Sequence, residues 1–144
     1  MKSVTPQQNG EDFVITLESI QKDWKETEAI IIRTLPNNSE KLHKKYSNSN
    51  PPYLQKEAAI FLKEKGVKHL LIDLPSVDKE VDGGVLAAHH TFWNYPENTR
   101  LDCSITELIY VPNQVADGSY LLNLSFAPFD NDASPSRPTI YKIC

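Results

Sequence analysis

The stretch that most constrains the fold is a strand, a helix and a second strand in close succession between residues 28 and 74. Glu28 to Leu35 (EAIIIRTL) sets three isoleucines side by side and is ended by Pro36 and Asn37. A short apolar run without alternation suits a strand covered on both faces, as in a parallel sheet. Pro51 and Pro52 then precede Leu54, Ala58, Phe61 and Leu62, spaced i, i+4, i+7 and i+8, and Gly66 follows Lys65. That spacing predicts an amphipathic helix, opened by the fixed φ of proline and closed by the access of glycine to positive φ. Val67 to Leu74 (VKHLLIDL) supplies the second buried strand. Two such strands joined through a helix make a right-handed crossover unit, so the expected class is α/β with a parallel or mixed sheet.

The flanks add smaller elements to this unit. The 144 residues amount to one domain. Residues 1–12 are polar and read as a mobile lead-in, leaving 13–144 as the folded part. Thr16 is placed to cap a short helix from Glu18 to Trp24. Residues 36–50 read as a polar loop with one helical turn around Leu42. The segment AAHHTFW reads as a short helix, and Ser104 to Val111, Ser119 to Phe126 and Thr139 to Ile143 read as strands.

Charge and cysteine usage exclude several partner classes. Lys and Arg number 15 against 19 Asp and Glu, a net charge of −4 with no basic cluster. Nucleic acid is therefore not an expected partner. The longest apolar run, near Ala29 to Ile32, falls far short of the roughly twenty residues of a membrane span. Met1, Lys2 and Ser3 are not followed by a signal-like apolar stretch, and a cytoplasmic protein is expected. Cys103 and Cys144 lack CxxC spacing, which argues against a disulfide framework or a zinc knuckle.

Three groups of residues carry chemistry. Asp73, Ser76 and Asp78 follow a buried strand, where open α/β sheets present ligand contacts; alternatively they tie a turn through side-chain to backbone bonds. His89 and His90 stand side by side, with Glu107 on the next expected strand. Imidazole and carboxylate are ligand types for zinc, manganese or iron, and adjacent histidines on a helix diverge, so one of the two would face a metal. The alternative is two half-buried histidines and a solvated glutamate. Asp132, Ser134, Ser136 and Arg137 would bind an anion or amide, or form a proline-shaped turn.

In order, the motifs GVKHLLIDLPSVD, GGVLAAHHTFWN and ITELIYVPNQVADGSYLLNLSFAPFDNDASPSRPTIY resemble the C-terminal part of the cyclase family of metal-dependent hydrolases, to which kynurenine formamidase belongs. The resemblance spans roughly residues 13 to 143. It implies a swivelling β/β/α fold with a mixed sheet, incomplete at its N-terminus, and hydrolysis of an amide or formamide of arylformamidase type. It also implies a zinc or manganese site, a small-molecule amide substrate and a role in tryptophan catabolism through the kynurenine pathway. A sheet cut short at its N-terminus would expose an edge and apolar surface that a second copy could cover, so a homo-oligomer is expected.

Carried over by motif, the metal ligands fall on His89 and Glu107, with His90 supporting them. Asp73, Ser76, Asp78, Trp93 and Arg137 would shape the pocket, and no residue is assigned a catalytic role. The segment between His89 and Glu107, with Phe92, Trp93, Tyr95 and Pro96, is longer than in the relatives, implying different substrate walls. Family members also carry a motif of the form HxGTHxDxPxH that supplies further ligands. It is absent here, and His43 and His69 lie in other contexts. Two readings follow: a C-terminal piece of a longer hydrolase, or a catalytically inactive short homologue acting as a binding or assembly module. Two ligand types kept in place favour the first. For the chain alone the expectation is weak metal binding without formamidase turnover.

Overall fold

The computed structural model describes residues 1–143, so the expectation for Cys144 lies outside the described residues. A four-stranded parallel sheet forms the centre, in the order β1 (Lys2–Val4), β4 (Ala29–Thr34), β6 (His69–Ile72) and β7 (Ser104–Thr106). A second sheet is mixed: β2 (Gln7–Asn9) runs antiparallel to β3 (Asp12–Ile15), which pairs in parallel with β5 (Tyr53–Leu54). Strands β8 (Tyr120–Phe126) and β9 (Ser136–Lys142) make a separate antiparallel hairpin. Helices α1 (Leu17–Gln21), α2 (Lys56–Glu64) and α3 (Ala87–Trp93) complete the fold.

The isoleucine run explains the layering. Successive residues of a strand face opposite sides. Ile30 and Ile32 of β4 and Leu70 and Ile72 of β6 join the large core with Ala58, Ala59 and Leu62 of α2 and Ala88 and Phe92 of α3. Ile31 and Leu71 belong to a second core, against Leu122, Leu124 and Ile140 of the hairpin and Val111. The order is therefore helices, parallel sheet, hairpin. This β/β/α arrangement is why neither strand alternates in sequence.

Several boundaries differ from those expected. Residues 1–12 are not a mobile lead-in: Lys2, Ser3 and Val4 pair with Ile32, Arg33 and Thr34. Polar residues hold there because the edge is tied down. The Ser3 amide and hydroxyl donate to Asp117, the Met1 amino group donates to the Gly118 carbonyl, and Val4 is buried. The central helix begins at Lys56, after Gln55, and Leu54 belongs to β5, where its amide donates to the Val77 carbonyl. The two prolines thus precede a strand. Gly66, at φ +73, ends the helix as expected.

Strand β7 stops at Thr106, and Glu107 sits just beyond it. Leu108, at φ +54, breaks the ladder there, although its amide still reaches the Leu74 carbonyl at 2.9 Å. The last strand starts earlier than expected, at Ser136, because Pro138 lies in a two-stranded hairpin where a missing N–H is tolerated. Thr16 caps α1 as expected, its hydroxyl accepting from the Ser19 amide at 3.3 Å. The helical turn near Leu42 is a 3-10 turn over Ser39–His43.

Candidate functional site

Three carboxylate and imidazole side chains meet beyond the C-terminal ends of β6 and β7, where open parallel sheets place their ligands. Asp78 comes from the segment after β6, His89 from the first turn of α3, and Glu107 from the residue after β7. The ring of His89 lies between the two carboxylates. His89 Nδ1 is 2.6 Å from Asp78 Oδ2, and His89 Nε2 is 3.5 Å from Glu107 Oε1. An ionised carboxylate only accepts, so the Nδ1 proton is donated to Asp78, and Nε2 is the ring nitrogen that faces Glu107.

The Asp78 carboxylate is set by the start of α3. Its Oδ1 accepts from the Ala88 amide, and its Oδ2 accepts from the His89 amide at 3.2 Å. These are donors that a helix start leaves without intrahelical partners. Burial raises the Asp78 carboxyl, but the bonds from the His89 ring and the two amides outweigh burial and hold it below the ordinary value. Asp82 fastens the preceding turn, accepting from the Gly84 and Leu86 amides at 2.8 and 2.6 Å. Glu107 is held differently. Its Oε1 accepts from the Val77 amide at 2.9 Å, and burial pushes its carboxyl above the ordinary value. That is the environment of a carboxylate lacking a full complement of positive partners.

The other sequence candidates divide. Trp93 lies beside His89, with ring centroids 5.1 Å apart and the ring planes tilted by 53°. Ser76 acts one step removed, its hydroxyl accepting from the Asp78 amide at 3.0 Å. His90 turns away, as adjacent helical residues must, and lies 4.9 Å from the Tyr95 ring. Asp73 is buried elsewhere: it accepts from the Thr34 amide and hydroxyl and from Lys41 Nζ, tying β4 to β6. Arg137 is exposed on β9, and among the described residues no hydrogen bond or ion pair joins it to the cluster. Phe92, expected in the substrate wall, is fully buried in the core.

The donor set suits a divalent metal in type and spacing. Two ligand atoms about 2.1 Å from one tetrahedral ion lie about 3.4 Å apart, close to the 3.5 Å between His89 Nε2 and Glu107 Oε1. Asp78 on the other ring nitrogen is the arrangement that orients a metal-binding histidine. Among the described residues no group of three or more His, Cys, Asp or Glu side chains is arranged to hold a metal, and Asp78 is engaged by His89 Nδ1 and two backbone amides. Among the described residues Cys103 is a free thiol, and no helix is long and apolar enough to cross a membrane.

Sequence reasoning missed the network behind the cluster. Asp12 of β3 accepts from Lys79 at 2.8 Å, from Asn50 at 2.9 Å and from Tyr53 at 3.0 Å. No local pattern marks it, because its partners lie about 40 to 70 residues away along the chain.

Residues 3–79 match the model of the family described as Putative cyclase. Kynurenine formamidases of Bacillus cereus and Bacillus anthracis are each 39% identical over 97 residues, covering 64% of this chain and 41% of theirs. The kynurenine formamidase of Bacillus cytotoxicus is 38% identical over 94 residues. The chain thus spans about two fifths of the length of the curated relatives it matches. A solved structure described as a predicted metal-dependent hydrolase, from Bacillus stearothermophilus, superposes with a TM-score of 0.64 at 16% identity, covering 96% of this chain and 61% of its own. Another, described as a potential metal-dependent hydrolase with cyclase activity, gives 0.66 at 16% identity, covering 96% and 62%. These two likenesses establish the fold.

Proposed function

Because the chain belongs to the cyclase family, we propose that it carries part of the active site of a metal-dependent hydrolase that cleaves an amide or formamide bond, with His89 and Glu107 as metal ligands. The observation that carries this reading is the His89 ring held between Asp78 and Glu107, with its Nε2 and a half-buried carboxylate oxygen of Glu107 3.5 Å apart. A bound zinc or manganese ion would polarise the carbonyl and bring a water to a pKa near 7.

The chain's own residues do the rest. Asp78 holds His89 in one tautomer, and the Val77 amide fixes the Glu107 oxygen. Trp93 lines one side, an apolar surface suited to an aryl or other planar substituent on a small amide substrate. Catalytic zinc sites usually have three protein ligands, and this reading supplies two. The isolated chain is therefore expected to bind metal weakly, with turnover far below that of a three-ligand site.

Metal analysis run beside an assay on N-formylkynurenine tests the reading. Bound divalent metal that disappears in Glu107→Gln, and any hydrolysis abolished by chelator, are the expected results. Hydrolysis that survives chelator overturns the metal chemistry, and hydrolysis unaffected by Glu107→Gln overturns the ligand assignment.

A further inference from the structure

Residues 76–80 are gripped from both sides in an alternating way. Asp78 reaches forward to α3 and the His89 ring, and the Val77 amide reaches Glu107. The neighbouring groups reach back to the second sheet and its loop. The Val77 carbonyl accepts from the Leu54 amide of β5 at 2.9 Å. Lys79 Nζ donates to Asp12 Oδ2 at 2.8 Å, and Asp12 also accepts from Asn50 and Tyr53. Glu80 accepts from the backbone amides of Asn48 and Asn50 at 2.6 and 3.0 Å. Asn48 and Asn50 both stand at positive φ, 59° and 44°, a conformation asparagine tolerates better than most residues and one that turns both amides toward Glu80.

We propose that Lys79 and Glu80 are positioning residues: by fastening the chain on the far side of Asp78 to Asp12 and to the Asn48–Asn50 loop, they set the Asp78 carboxylate against His89 Nδ1 and thereby hold the His89 ring toward Glu107. This rests on the site reading above. Neither residue touches the substrate or the metal position. The physical case is geometric. Asp78 is one peptide from Lys79 and two from Glu80, and its carboxylate serves three donors at once. A slip of about 1 Å in the backbone would break at least one of those bonds. Free surface ion pairs contribute little to stability. A pair whose partner is the residue beside an orienting carboxylate matters through the geometry it fixes.

The test is nitrogen-15 NMR of the His89 ring in the metal-free full chain, with zinc titration alone as a second readout. Wild type is expected to show a single tautomer with the proton on Nδ1. In Lys79→Met and in Glu80→Gln, both ring nitrogens should move toward averaged values as the Nε2–H form enters, with zinc affinity about tenfold weaker. Lys79→Arg should restore the wild-type pattern. Ile31→Ala, a change in the core on the hairpin side of the sheet, should lower the melting temperature and leave the His89 signature intact.

An unchanged His89 signature in folded Lys79→Met and Glu80→Gln overturns the proposal. If Lys79→Met does not fold, Glu80→Gln alone decides it. Asp78→Asn separates the two levels of the argument. If that change leaves the His89 signature unaltered, the site reading fails and the proposal falls with it. If it shifts the signature while the other two variants do not, only the proposal fails.

Discussion

Glu107 and Asp78 show how two carboxylates in contact with one imidazole take different roles. Asp78 is nearly buried yet held ionised by three donors, whereas Glu107 has one amide donor and a carboxyl pushed up by burial. In the metal-free protein at neutral pH, an ionised Glu107 costs stability, because a carboxylate raised above its unfolded value is charged against the preference of its surroundings. Glu107→Gln should therefore melt no lower than wild type while losing metal binding, a pairing of outcomes that calorimetry and metal titration read directly. A residue kept for packing would do the reverse. Asp78→Asn should leave both ligands present but weaken metal affinity by about 10–100-fold, as loss of an orienting partner does. At this scale the sequence was informative about residue type and order, and silent about pairing. The Asp78 to His89 bond joins residues eleven apart on a segment and a helix whose relative placement no local pattern specifies.

At the scale of elements, α3 is the part on which the site depends. It has seven residues, opens on Leu86 in the left-handed region and closes on Asn94 in the same region. A helix this short is not stable by propensity and is held by packing. Phe92, fully buried, provides that packing. Phe92→Ala should cost about 3–5 kcal/mol in urea unfolding, with loss of His89 order before global unfolding if α3 opens locally.

The second sheet contributes through Asp12, whose carboxyl is held down from 3.8 to about 2, chiefly by the Asn50 and Lys79 hydrogen bonds. A depressed carboxylate stabilises above its unfolded value, and that contribution fades as the pH falls through the folded value. The difference in urea midpoint between wild type and Asp12→Asn should thus be full at pH 6 and small by pH 2. The central crossover and its helix were legible because buried parallel strands and an amphipathic face write themselves as runs and periods. The N-terminal edge strand was not, because its polar residues are ordered by partners more than 100 residues away: Ser3 by Asp117 and Met1 by Gly118.

Over the whole molecule, helices on one face of the parallel sheet and a hairpin on the other leave the strand ends free to gather chemistry from three separate segments. The layered class was readable from the isoleucine run together with the later strands. The site was readable as a list of residues, of which the structure gathers His89, Glu107, Asp78 and Trp93, with Ser76 behind Asp78, and leaves Asp73, His90 and Arg137 elsewhere. Asp73 shows why: its position after a buried strand fits a ligand contact and a structural tie equally well, and only the approach of Lys41 from the 36–50 loop decides between them.

The most direct measurement of the central claim is calorimetric titration of zinc into the full chain, His89→Ala and Glu107→Gln at one pH. The account predicts one weak site in wild type that is lost in both variants while their folds persist. Equal zinc binding by all three proteins, or none by wild type, would contradict it.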